Sequence, residues 1–349
     1  MTSYQLAAFG EPLVRVEGPV PEPQGSEVVL RVLACGVCHS DLHLAEGYFE
    51  LGAGKRMDLA AALRLPRTLG HEIAGEVVAA GPDAEVPIGA RRVVFPWIGC
   101  GACATCRAGN EHVCARPQAL GANRDGGFSD HVVVPHARYL LDFGDLPVEL
   151  AATYACSGLT AYGALRKAAP VSAAEPLLIV GAGGVGEAAI RLTRILFRAG
   201  AVVADLDERK RANALDAGAA SAVDPREPGT RKALLTQTDG GFAAAIDFAG
   251  STASAEFALS VLRKGGKLIV VGLYGGTLEL ALPLVPLRAL TIAGSYVGSL
   301  KELRELLALA QHGAGPRIHY ERRPLDEAQA ALDALRGGGV IGRTVLAPA

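Results

Sequence analysis

Apolar residues fall into short runs punctuated by glycine and proline, and two textures succeed one another along the chain. Up to about residue 147 the runs are strand-like and broken by turns. Residues 28–33 (Val-Val-Leu-Arg-Val-Leu) form a β-branched run preceded by Pro19, Pro21 and Pro23, and 72–77 and 130–135 read as further strands. So many breaks predict a barrel-like module. Residues 51–65 predict a loop carrying a short helical pattern. From Pro147 the texture changes. Residues 149–167 are Ala-rich and helical, and 176–180 is a wholly apolar run of the kind a strand buried on both faces of a parallel sheet requires. Strand-like runs recur at 244–249, 267–272 and 290–295, with helical patterns at 187–192, 254–264 and 303–311. Alternating strands and helices predict a doubly wound parallel sheet, so the fold class is α/β. The tail holds a helical pattern near 326–336 and a strand at 342–346. That strand lacks a βαβ partner and is expected to return to the first module. The expected modules are therefore 1–150 with 313–349, and 151–312. The apolar runs at 278–284 and 290–295 read as strands able to pair across a two-fold axis.

Composition narrows the classes of function. With 349 residues, half of them apolar, the chain can bury two cores. A formal net charge of -2 gives no electrostatic case for nucleic acid or an anionic membrane as partner. No run of about 18 apolar residues suggests a membrane span. Residues 1–5 show no basic-then-apolar leader pattern, so a cytoplasmic location is expected.

The seven cysteines carry the first chemical signal. Cys100, Cys103, Cys106 and Cys114 are spaced C-x2-C-x2-C-x7-C, which lets four thiols fold back as a tetrahedron, as a closed structural Zn2+ site needs. A disulfide framework suits neither the odd cysteine count nor the cytosolic character of the chain, and the spacing is too compact for an iron–sulfur cluster. A sparser set follows strand-like runs elsewhere. Ala34-Cys35-Gly36-Val37-Cys38-His39-Ser40-Asp41-Leu42-His43 concentrates thiol, hydroxyl and imidazole groups, Gly70-His71-Glu72 adds an adjacent imidazole and carboxylate, and Cys156 lies in the Ala-rich segment.

The cofactor signal is a strand–turn–helix. Directly after 176–180 stands Gly181-Ala182-Gly183-Gly184-Val185-Gly186, and a helical run follows. Gly181, Gly183 and Gly186 fill the G-x-G-x-x-G frame, which gives a tight turn, close approach of a pyrophosphate and a helix start that offers free N–H groups. Asp205 ends the next apolar run, placed to accept from adenosine ribose hydroxyls and to repel a 2′-phosphate. NAD is thereby expected over NADP.

Taken together, Gly-Val-Cys-His-Ser-Asp, Gly-His-Glu, the four clustered cysteines, Ala-Cys-Ser-Gly and Gly-Ala-Gly-Gly-Val-Gly resemble, in order and over essentially the whole chain, the zinc-dependent alcohol dehydrogenases of the medium-chain dehydrogenase/reductase superfamily. The likeness is greatest to the prokaryotic, typically tetrameric, NAD enzymes. It implies a GroES-like β-barrel-type catalytic domain beside a Rossmann cofactor domain, with two Zn2+ per chain and NAD+/NADH. By resemblance Cys38, His71 and Cys156 are ligands of a catalytic zinc, the Cys2His-plus-open-position set cited for this family. Asp41 and Glu72 stand behind the ligands, and Cys100, Cys103, Cys106 and Cys114 hold the structural zinc. Ser40 and His43 would relay the alcohol proton. His39, Thr160, Gly181, Gly183, Gly184, Val185, Gly186, Asp205, Lys210, Val271, Gly272 and Arg343 would contact the cofactor. Cys35 is left over as packing. Phe49, Trp97, Leu120, Leu273 and Tyr296 are pocket candidates by nearness to the motifs, and an apolar pocket favours aliphatic or aromatic alcohols. The expected partners are a small alcohol, aldehyde or ketone and further copies of the chain, as tetramer or dimer. Another zinc-dependent reductase of the superfamily, acting on a polyol or a specialised carbonyl, and a non-catalytic, crystallin-like dinucleotide binder are the competing expectations.

Overall fold

The computed structural model describes residues 1–169, 175–197 and 199–348, so positions 170–174, 198 and 349 of the expected modules lie outside the described residues. The strand Val28–Val37 is the axis of the first module, buried along almost its whole length. One edge pairs antiparallel with Glu72–Ala80. On the other edge His131–Val134 covers the first half and Arg343–Ala347 the second. The C-terminal strand therefore sits beside the N-terminal sheet, with Val345 opposite Gly36 and Thr344 opposite Val37. Arg91–Val94 and Leu140–Leu141 extend the sheet beyond Glu72–Ala80. A smaller antiparallel sheet joins Val14–Glu17, Thr2–Leu6 and Arg67–Thr68.

In the second module six strands run parallel in the order Ser221–Val223, Ala201–Ala204, Leu177–Val180, Phe242–Asp247, Leu262–Val270 and Thr291–Gly294. Numbered along the chain this is 3-2-1-4-5-6, the doubly wound dinucleotide-binding order. Leu177–Val180 is buried at every position, as its unbroken apolar sequence requires. The order reverses between Leu177–Val180 and Phe242–Asp247, which opens a crevice beyond their carboxyl ends, at residues 181 and 248. One apolar core continues from the first module through Leu150, Ala151, Leu159 and Leu165 onto one face of this sheet, and a second core covers the opposite face.

Four expectations meet different structure. Residues 48–58 form a hairpin, Tyr48–Gly52 against Lys55–Asp58, where a loop with helical pattern is expected. Gly52, Ala53 and Gly54 all take positive φ, and that turn reverses the chain before a helix can propagate. The helix expected over 254–264 runs Thr252–Ser260, because a Ser251–Ser254 capping box starts it early and residues from Leu262 join the sheet. Residues 278–283 form no strand; Pro283 and Pro286 supply no N–H donor, and a short helix Leu284–Leu287 follows. The Ala-rich helix is interrupted by a π-helical turn, Tyr154–Gly158, and Cys156 sits on it. Such turns collect at functional positions. Among the described residues no helix is long and apolar enough to cross a membrane.

Candidate metal centre and cofactor cleft

Cys38 is where the axial strand gives way to the helix His39–Glu46, as the extended residue that caps it. Asp41, in the helix's first turn, folds back so that its Oδ2 accepts from the Cys38 backbone N–H at 2.9 Å. Its Oδ1 accepts from the Gly70 N–H and faces His71 Nδ1, each at 3.2 Å. One buried carboxylate thus ties two motifs that lie thirty residues apart. Because Nδ1 donates to Asp41, the neutral ring presents a lone pair at Nε2, an assignment made from this hydrogen bond. That Nε2 is buried and has no protein partner.

The π-helical turn brings Cys156 to the same place, with its sulfur 4.0 Å from that of Cys38. The donor atoms of Cys38, His71, Glu72 and Cys156 all lie within 4.8 Å of one another, and every one of these residues is buried. The two thiols titrate as a pair. Contact with Cys156, helped by Arg343 and His71, holds Cys38 well below the ordinary thiol range against the effect of burial, and the same contact pushes Cys156 up. Burial draws the His71 pKa down, but Asp41 and Cys38 outweigh it and raise it well above the usual value. Burial lifts Glu72 to about 7 in spite of Arg343 beside it. Two sulfurs and an orphaned imidazole nitrogen suit Zn2+, and a Cys2His set leaves one position for a small ligand.

The four-cysteine lobe is a second cluster within the same 4.8 Å limit. Sulfur–sulfur distances are 3.5 Å for Cys103–Cys106, 3.8 Å for Cys103–Cys114 and 4.0 Å for Cys100–Cys106. Backbone N–H groups of Cys106 and Cys100 point at the sulfurs of Cys103 and Cys114, both at 3.4 Å. Four thiolates in a loop stapled this way fit a closed zinc site with no open position. Cys35 is wholly buried and belongs to neither cluster.

At the crevice of the parallel sheet, Gly181 has φ +90° and Gly183 precedes the helix Gly184–Leu196. A Cβ on Gly184 would fall 2.6 Å from the Gly342 carbonyl oxygen and 2.9 Å from Arg343 Cδ, so the C-terminal segment seats on the start of that helix. Asp205 Oδ2 accepts from Ala182 N–H at 2.7 Å and Oδ1 from Asp207 N–H at 2.9 Å, which fixes the carboxylate beside the glycine turn. Val185 is half-buried on the same helix, and Lys210 follows on Glu208–Asp216. Val271 and Gly272 leave the sheet with both N–H groups on the Asp247 carbonyl, at 2.9 and 3.0 Å. Thr160 is 7 % exposed, its Oγ1 4.0 Å from the Cys156 sulfur. His39 is exposed at the helix start. Arg343 is buried, and its guanidinium turns inward to pair with Glu72 Oε1 at 3.1 Å.

Ser40 Oγ stands 3.8 Å from the Cys38 sulfur, and the His43 ring packs tilted at 44° against Phe49 with ring centroids 4.9 Å apart. Trp97 packs on the His71 ring at 5.1 Å and against Tyr296 at 5.7 Å, while its Nε1 donates to the Ala155 carbonyl at 3.0 Å. An aromatic wall therefore runs outward from His71 through buried Trp97 to half-exposed Tyr296. Leu273 lies on the surface and Leu120 is 1 % exposed, packed in the core. Two residues at the centre were not singled out from sequence. Ser157 donates to Glu72 Oε1 at 2.8 Å, and Gly36 leaves the space that Glu72 fills. Ser157 stands next to a recognised ligand; Gly36 gave no signal of its own.

Comparison with known proteins agrees with this geometry. Residues 24–145 match the family described as "Alcohol dehydrogenase GroES-like domain", and 184–312 that described as "Zinc-binding dehydrogenase". An NAD-dependent alcohol dehydrogenase of Sulfurisphaera tokodaii is 35 % identical over 352 residues, covering 100 % of both chains. A D-arabinose 1-dehydrogenase (NADP(+)) of Saccharolobus solfataricus is 33 % identical, covering 98 % of this chain and 96 % of that one. The solved alcohol dehydrogenase of Aeropyrum pernix superimposes with a TM-score of 0.89 at 32 % identity, covering 100 % of both chains.

Proposed function

The chain belongs to the zinc-binding alcohol dehydrogenase family, and on that premise we propose that it oxidises primary or secondary aliphatic or aromatic alcohols reversibly with NAD+. The observation that carries the proposal is the buried Cys38–His71–Cys156 set with its unpartnered His71 Nε2, beside an apolar wall. Zinc at these three ligands supplies a Lewis acid for the alcohol oxygen, and NAD+ on the glycine turn supplies the hydride acceptor.

The remaining work falls to the chain's own residues. Asp41 holds the His71 ring in one tautomer and fixes the turn that carries Cys38. Ser40, beside the Cys38 sulfur, accepts the hydrogen bond from the alcohol and gives up its own hydroxyl proton as it takes the alcohol's, and His43 carries the relay outward. Burial holds His43 below the usual imidazole range, which keeps it neutral and able to accept at neutral pH. The N–H groups at the start of Gly184–Leu196 bind the pyrophosphate, and Asp205 binds the adenosine ribose, with His39, Lys210, Thr160, Val271 and Gly272 along the cofactor. Trp97 and Tyr296, together with Phe49 beside His43, exclude water and select apolar substrates. Cys100, Cys103, Cys106 and Cys114 hold a structural zinc.

A homo-oligomer and a cytoplasmic location complete the proposal. The oligomer is supported by the open edge strand Thr291–Gly294, preceded in the chain by Leu282 at 78 % and Leu287 at 67 % exposure. Light scattering tests the oligomer. Steady-state rates across aliphatic and aromatic alcohols, polyols and aldoses, each with NAD+ and NADP+, test the substrate class. The proposal expects the highest kcat/KM for an apolar alcohol with NAD+, and a preference for a sugar or polyol refutes it.

A further inference from the structure

Three basic residues, Arg209, Lys210 and Arg211, follow the turn that carries Asp205, and a fourth, Arg226, reaches it from beyond the strand Ser221–Val223. Cations here would welcome a 2′-phosphate, since an arginine near the end of the second strand is what accommodates that group in doubly wound folds. In this chain the three arginines are already occupied. Arg209 Nη2 pairs with Asp207 Oδ2 at 3.1 Å. The other two converge on Asp224, which is 8 % exposed. Arg226 donates to it twice, from Nε to Oδ1 at 3.0 Å and from Nη2 to Oδ2 at 2.6 Å. Arg211 Nη1 reaches Oδ2 at 3.5 Å. The same two guanidiniums cap the turn itself. Arg211 Nη1 donates to the Asp205 carbonyl at 2.9 Å and to the Leu206 carbonyl at 3.0 Å, and Arg226 Nη2 donates to the Leu206 carbonyl at 3.0 Å. One carboxylate therefore ties two cations to successive carbonyls of the turn, while the Asp205 side chain is held separately by the Ala182 and Asp207 N–H groups.

We infer that Asp224 is a second determinant of cofactor choice: it holds Arg211 and Arg226 against the Asp205–Leu206 backbone and so withholds them from a 2′-phosphate. The inference rests on NAD+ being bound at Asp205. Asp224 is a positioning residue in this scheme, acting through the two arginines. Arg226 is the cation it controls most. The Arg226 side chain is 64 % exposed and makes one carbonyl contact, whereas that of Arg211 is 20 % exposed and makes two.

The test measures the dissociation constants of NADH and NADPH for the full-length, zinc-loaded protein, read from the fluorescence of the bound dihydronicotinamide. Asp224→Asn removes the charge but keeps an acceptor for the Arg226 backbone N–H, which donates to Oδ1 at 2.9 Å. It should lower the ratio of the NADPH Kd to the NADH Kd about tenfold, because a released guanidinium gains a charge-assisted contact with the phosphate. Asp224→Ser, whose hydroxyl takes the same backbone N–H, should lower it likewise. Asp224→Asn combined with Arg226→Met should return the ratio towards wild type. A general loosening of the fold would weaken both cofactors alike and leave the ratio unmoved. The inference is overturned if either folded single variant keeps the wild-type ratio, or if the double variant retains the full gain for NADPH. A wild type that binds NADPH as tightly as NADH overturns the NAD assignment at Asp205 and the inference with it, whereas a discriminating wild type with unmoved variants overturns the inference alone.

Discussion

Replacing Asp41 by Asn asks how much of the metal centre is organised before any metal binds. The carboxylate is fully buried and accepts from three N–H groups, two at Oδ1 (Gly70 and His71) and one at Oδ2 (Cys38). Asparagine has the same shape but only one acceptor oxygen. If the amide oxygen stays on the side of Gly70 and His71, the NH2 group faces the Cys38 N–H, and a buried donor is left unpaired at a cost of about 1–3 kcal/mol. The opposite orientation strands two donors and is worse. The two surviving hydrogen bonds lose their charge assistance, about 1 kcal/mol each. The expected destabilisation is therefore about 3–5 kcal/mol in the metal-free chain, measured by urea unfolding. With His71 no longer fixed, zinc affinity at this site should fall about tenfold to a hundredfold, measured by competition with a chromophoric chelator. An Asp41→Asn chain with wild-type stability and wild-type zinc retention would refute the assignment of Asp41 as the group that organises the centre.

Three further outcomes are expected. Asp205→Ser should lower the ratio of kcat/KM with NAD+ to that with NADP+; an unchanged ratio removes Asp205 from cofactor choice. Cys103→Ser breaks sulfur contacts to Cys106 and Cys114, so metal analysis should find one ion fewer per chain and the melting temperature should drop, with turnover lost only as the chain unfolds. Burial holds His43 below the ordinary imidazole value of about 6.5, so on acidification the unfolded chain takes up this proton before the folded one does. Stability present above that pH should decline as pH falls towards the folded-state value, and His43→Gln should flatten part of the decline in a pH series of thermal melts.

Much of this architecture is legible in the sequence because its signals are local. The unbroken apolar run 177–180 is what a strand covered on both faces requires, and Gly181, Gly183 and Gly186 mark the turn that follows it. The four cysteines declare their lobe by spacing alone. What stayed hidden depends on register between distant segments. Gly36 needs to be glycine because the strand Glu72–Ala80 sets Glu72 against it, and no local pattern carries that information. Arg343 matches a family position at the cofactor phosphates, yet the pairing of Arg343–Ala347 with Val28–Val37 turns its guanidinium onto Glu72. The hairpin at 48–58 was missed because the turn chemistry of Gly52 and Gly54 overrides the helical periodicity after it.

The central claim is that the reaction belongs to the sparse cluster, Cys38, His71 and Cys156, and that the cysteine-rich lobe is structural. Zinc should be returned stepwise to metal-stripped protein while bound metal and NADH formation from an alcohol are followed in the same sample, with His71→Ala as the parallel. The account predicts that wild type gains turnover in proportion to occupancy of the second site, and that His71→Ala fills the lobe, stays folded and makes no NADH. Full turnover with the lobe alone occupied, or turnover by His71→Ala, would contradict it.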